Sequence, residues 1–141
     1  MADDREARQQ ELARLLMRKA LQDLEALKAL LPNPAIADEV IGFHAQQAIE
    51  KGIKAALTRL GVQYNFTHDL SVLFQQVTDT GLEVPVSREA VEELTAFAVQ
   101  FRYTLYEDEA GLDRPAKIQL AEKFIQWASQ VVETPIRLSA K

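Results

Sequence analysis

The chain has 141 residues, 48% of them apolar and 26% charged, and a formal net charge of −5, the profile of one globular domain spanning 1–141 with enough residues for a real core. No run approaches the roughly 18 apolar residues of a membrane span, the N-terminus MADDREARQQ has no apolar centre for a signal peptide, and the lack of cysteine removes disulfides and thiolate metal sites and fits a cytoplasmic protein. The acidic balance argues against duplex DNA, whose phosphates call for a basic face, and leaves a small ligand, a short single strand or a protein partner.

Helical periodicity dominates the chain, and no alternating strand pattern of convincing length appears. A first helix is expected from near Asp3 to Leu31, with Leu12, Leu16, Ala20, Leu24, Leu27 and Leu31 as its apolar stripe; Pro32 and Pro34 stop it. A second runs from about Ala35 to Leu60 and ends at Gly61, a residue suited to a left-handed cap. Its apolar arc includes Ile41, Ala45, Ala48, Ile49, Ile53 and Leu57. His44, Gln47, Lys51, Lys54 and Thr58 fall on the other side, with Glu50 toward the edge.

Thr67 is placed to cap a short third helix over about 68–80, buried through Leu70, Leu73, Phe74 and Val77. Ser87 caps a fourth, with Val86 and Val91 as a hydrophobic staple and Val91, Leu94, Ala98, Phe101 and Leu105 as its seam. Asp113 caps a fifth, which has Pro115 in its first turn and reaches about Glu133. That helix has two adjacent stripes, one through Ile118, Ala121, Ile125, Ala128 and Val132, the other through Leu120, Phe124, Trp127 and Val131. It is either wedged deeply in the fold or shared with a second subunit. Short connections predict an all-α fold, an up-down antiparallel bundle of four to five helices.

Metal chemistry finds no foothold, and the familiar phosphate-cradling loops are missing. Neither histidine belongs to a Glu-x-x-His pair, and no His-rich zinc motif, calcium loop or glycine-rich phosphate loop occurs. No cofactor or metal is expected. Two polar sets remain. One is the second helix's face of His44, Gln47, Lys51 and Lys54 with Glu50. The other is Arg102, Tyr103 and Tyr106 with Glu107 and Asp108. Arg102 can grip a phosphate or carboxylate through a bidentate fork, and the tyrosines can stack on a base or donate hydroxyls. Against this, Glu50 and Lys54 form a favourable i,i+4 helix pair, and Arg102 can pair structurally with Glu50. His68, followed by Asp69 and Leu70, shapes the turn into the third helix or contributes to a site.

Three segments carry a resemblance to the HEPN family. They are Ala20-Leu21-Gln22-Asp23-Leu24; the FHAQQAIEKGIKA run from Phe43 to Ala55; and Thr67-His68-Asp69-Leu70 together with Phe101-Arg102-Tyr103. The resemblance implies a helical homodimer, often paired with a small nucleotidyltransferase. In many members it also implies a metal-independent ribonuclease, built from an arginine followed four to six residues later by a histidine. Here Tyr-Thr-Leu-Tyr-Glu-Asp follows Arg102, and no histidine occurs after His68. Tyrosine, with a pKa of about 10, is a poor substitute for the proton shuttle.

The expectation is therefore a non-catalytic binding module, with no assigned catalytic residue. Arg102, Tyr103, Tyr106, His44, Gln47, Lys51 and Lys54 would bind the ligand, with Glu50 and His68 either structural or in contact with it. The expected partners are a second copy, a nucleotidyltransferase, or a nucleotide or short RNA, with no membrane. The alternatives are a diverged ribonuclease using Arg102 with His44 or His68, as the toxin of a toxin–antitoxin pair, and a regulatory assembly protein.

Overall fold

The computed structural model describes residues 2–97 and 112–135. Arg102, Tyr103 and Tyr106 lie outside the described residues, as do the expected seam positions Ala98, Phe101 and Leu105. Within those bounds the chain is all-helical: α1 (Ala2–Leu30), α2 (Asp38–Arg59), α3 (Leu70–Asp79), α4 (Arg88–Glu92) running into a 3₁₀ turn (Glu93–Phe97), and α5 (Arg114–Glu133).

The caps explain the boundaries. Gly61, at φ 76, takes the left-handed conformation after α2, and Val62 N–H reaches back to Leu57 O at 2.9 Å, closing the helix. Asp38 and Glu39 sit in the first turn of α2, where acids favour the helix dipole. Helix α3 starts two residues later than the sequence suggests. Asp69, not Thr67, is its cap and accepts from Ser71 N–H at 2.9 Å. Thr67 Oγ1 instead accepts from Asp69 N–H at 3.0 Å, forming the turn that delivers the cap. Ser87 and Asp113 cap α4 and α5 as the sequence indicates.

Helices α1 and α2 form the most extensive packing pair, and α5 packs on both. Glu6 near the start of α1 faces Arg59 at the end of α2. Arg14 meets Glu133, and Lys28 meets Glu122. So α1 runs antiparallel to both α2 and α5, and the chain returns through α3 and α4 to lay α5 alongside α2. This is a helical bundle with its core between α1, α2 and α5, closed at one side by α3, α4 and the 3₁₀ turn.

Two differences from the periodicity reading have physical causes. In α1 the buried seam is Ala13, Met17, Ala20, Leu24 and Leu27, whereas Leu12 is 54% exposed and Leu16 only partly buried. In the fourth segment the α-helical period gives way to 3₁₀ geometry, which eclipses residues three apart. Val91, Leu94 and Phe97 then share one buried side. A Cβ on Gly42 would come within 2.5 Å of the Phe97 ring, so the glycine lets this turn close directly against α2.

The first stripe of α5 is wedged in the bundle, while Leu120, Trp127 and Val131 of the second stay partly exposed. Phe124 is fully buried beside Ala121, Ile125, Ala128 and Val132, and Leu120 and Trp127 pack against the same core from its edge. The large exposed apolar side chains lie elsewhere, and among the described residues they are Leu12, Leu15, Leu21, Val40 and Phe66.

Candidate functional site

The polar side of α2 is organised around two carboxylates. Glu50 is the inner one, 3% exposed. Its Oε1 accepts from the Gln46 amide at 2.8 Å and lies 2.9 Å from His68 Nδ1; its Oε2 accepts from Lys54 Nζ at 3.0 Å. The spacing on α2 sets the first and last of these contacts, since residues four apart stand one turn above another. His68 arrives from the loop before α3. Burial pushes the Glu50 carboxyl up, but hydrogen bonds from Gln46, His68 and Lys54, with the charge of Lys54, outweigh it and hold the group below its ordinary value.

Asp23 of α1 is the second centre. Its Oδ1 lies 3.1 Å from His44 Nδ1, and its Oδ2 accepts from Lys51 Nζ at 2.6 Å. His44 and Lys51 are seven positions apart on α2, so both face the same strip of α1 and one carboxylate serves both. Gln47 connects to the Glu50 group by donating to Gln46 Oε1 at 2.7 Å. Beside this group, Lys54 Nζ sits 5.2 Å from the centre of the Tyr64 ring, a cation–π contact that continues the network toward the α2–α3 loop.

The α2 residues singled out in the sequence thus form two neighbouring clusters, His44 with Lys51 on Asp23, and Gln47 with Lys54 around Glu50, where His68 joins them from the loop. Much of their charge is answered internally. Lys51 and Lys54 each hold a carboxylate, which leaves the face closer to neutral than the bare sequence suggests. His68 is the most open member: its side chain is 54% exposed, and with Nδ1 on Glu50 its Nε2 is the ring nitrogen left for other contacts.

Asp23 and Gln46 complete these clusters, and sequence reasoning did not assign them. Gln46 had a local signal, since it stands one turn before Glu50. Asp23 had none, because its contacts span 21 and 28 residues of sequence. Among the described residues no group of three or more His, Cys, Asp or Glu side chains could hold a metal ion. No described helix is long and apolar enough to cross a membrane.

Comparison with known proteins agrees with the helical architecture. The chain is 37% identical over 65 residues to a Methanocaldococcus jannaschii protein named as a putative toxin. That stretch is 46% of this chain and 41% of the relative, so less than half of either protein is matched. No solved structure matches the chain significantly. The HEPN domain profile matches residues 13–138, nearly the whole length described above, and the chain belongs to the HEPN domain family.

Proposed function

We propose that the chain is a non-catalytic binding module that acts as a homodimer and takes a nucleotide or short RNA, alone or presented by a nucleotidyltransferase partner. One observation carries the reading: no histidine follows Arg102 in the sequence, so the arginine–histidine pair of the ribonuclease members is incomplete. The side chains that would meet a ligand are Gln47, Lys51, Lys54 and the open edge of His68, with Arg102, Tyr103 and Tyr106 added from the segment that follows the 3₁₀ turn. A phosphate reaching Lys51 or Lys54 competes with Asp23 or Glu50 already in place. Affinity is therefore modest and its salt dependence shallow, because few phosphates are neutralised.

Calorimetry with ATP, GTP and short single-stranded RNA tests the reading. Heat of binding that falls in Lys51→Ala and Arg102→Ala supports it; no heat and no rise in melting temperature with any of the three ends it. Sedimentation of the free protein checks the dimer.

A second reading, a metal-independent ribonuclease, is favoured by the geometry of His68. A buried carboxylate orients one ring nitrogen and leaves the other toward solvent, as a general base requires. The matched relative is named as a putative toxin, which fits the toxin role of this alternative. Incubation with single-stranded RNA in EDTA separates the two. Cleavage that is lost in both His68→Ala and Arg102→Ala establishes the enzyme; an inert wild-type protein leaves the binding module.

A further inference from the structure

Helix α1 carries a second seam that its own fold does not use. Arg5, Arg8, Leu12, Leu15 and Lys19 recur at alternating spacings of three and four, the register in which one helix meets another along its length. All five are exposed, Leu12 at 54% and Leu15 at 42%. Beside the two leucines lies a groove of about 470 Å³ between α1 and the α2–α3 loop. Its apolar walls are Leu12, Leu15, Leu16, Val62, Tyr64 and Phe66, and its lining residues are uncharged. Phe66 stands at its edge 90% exposed, held edge-on to Tyr64 with ring centres 6.1 Å apart.

Charge decides what fits there. Arg5, Arg8 and Lys19 border the leucines and make no ion pair among the described residues. The acids Asp4 and Glu11 stand one turn to either side of Arg8, on the flank of the seam opposite Gln9 and Leu16 of the groove. A second copy pairing through this seam would set like charges together in either direction. Antiparallel about the leucines, Arg8 opposes Lys19; parallel, each cation opposes itself. Such juxtapositions cost binding free energy. An apolar helix with acids at those positions satisfies both the leucines and the cations.

We propose that this seam and groove dock an amphipathic helix of a partner protein, of about four turns, whose leucine-type side chains enter the groove beside Phe66 and whose glutamates or aspartates face Arg8 and Lys19. The site is separate from the polar face of α2 and stands whether or not that face binds a nucleotide.

The test uses the full chain as bait against a displayed library of helical peptides with a fixed leucine seam and flanks randomised among Glu, Gln and Lys. Selected binders become enriched in Glu at the flanks. Their affinity falls about tenfold or more in Leu12→Ser and in Phe66→Ser, the loss expected of anchor side chains at the centre of an interface. In Arg8→Glu/Lys19→Glu the selection turns toward Lys. These residues are exposed, so the variants keep the wild-type circular dichroism and melting temperature. Failure to enrich any binder, enrichment without acids, or binders indifferent to Leu12 and Phe66 overturns the proposal. So does self-association of the free chain that Leu15→Glu abolishes, since the face then belongs to a second copy.

Discussion

Glu50 shows how a single polar residue decides the character of α2. A carboxylate buried to 3% exposure is costly unless every lone pair finds a donor, and here Gln46, His68 and Lys54 supply them. Replacing it by glutamine removes the charge that Lys54 answers and puts an amide N–H among donors. Glu50→Gln should lower stability by about 2–4 kcal/mol in urea unfolding, as breaking a buried charged pair does. The pH dependence has a definite sign. Because the folded carboxyl is held below its ordinary value of 4.5, it contributes stability above that value. The contribution is lost as pH falls from there through the lowered folded pKa. Wild-type melting temperature should therefore drop more steeply below pH 4.5 than that of Glu50→Gln; equal slopes would mean the network does not hold the charge. Half of this arrangement was readable in the sequence. The Glu50–Lys54 pair follows from helical spacing, but the contact of His68 depends on a loop returning from α2, and no local pattern encodes that return.

At the scale of one element, α1 explains why apolar periodicity found the helix but mistook part of its buried face. The helix bears two apolar seams one residue out of register, Ala13-Met17-Ala20-Leu24-Leu27 facing the core and Leu12-Leu15 facing out. A search for the most apolar stripe prefers leucine to alanine and so joins the outer Leu12 to the inner Leu24. The packing prefers the reverse, because alanines at positions 13 and 20 let α2 and α5 approach closely. The fourth segment shows the same limit from another side: the α-helical template found Val91 and Leu94 but stepped over Phe97, which a period of three adds to the same buried side. By contrast, Gly61, Ser87 and Asp113 marked their helix ends plainly, because cap chemistry is local. The two seams of α1 respond differently to truncation. Leu24→Ala, which empties a site only 6% exposed, should cost about 2–5 kcal/mol. Leu12→Ser should stay within about 0.5 kcal/mol of wild type, the usual range for a surface change. Chemical denaturation of both variants measures this, and comparable losses would place Leu12 in the core after all.

In the whole molecule, α5 is the last of the described helices along the chain, and two arginines fasten it at opposite ends. Arg59, 2% exposed, leaves the end of α2 and donates from Nε to Val132 O at 2.9 Å and from Nη2 to Thr134 O at 3.0 Å. Its Nη1 has no hydrogen bond among the described residues and faces Glu6 of α1 at 3.6 Å. One guanidinium thus touches three helices where they converge. Arg114 does the corresponding work at the other end. From the first turn of α5 it donates to Asp38 Oδ1 and Leu31 O at 3.0 Å, to Asn33 O at 3.1 Å and to Ile36 O. Those carbonyls belong to the proline-bearing loop between α1 and α2, so Arg114 fixes the loop's path. Asp38 Oδ2 adds a bond from Leu112 N–H at 3.0 Å. Neither arginine was recognisable in the sequence, because its partners are backbone carbonyls distant along the chain. Losing either leaves several acceptors unsatisfied, and Arg59→Ala and Arg114→Ala should each lower stability by about 2–3 kcal/mol. The two sites share no partner, so the double variant should lose the sum to within about 0.5 kcal/mol. A loss well short of the sum would mean that releasing one end already frees α5 from α2, and that the helix docks as a single unit. Arg14→Ala is the control: its pair with Glu133 is about half exposed on both sides, and its removal should leave the melting temperature almost unchanged.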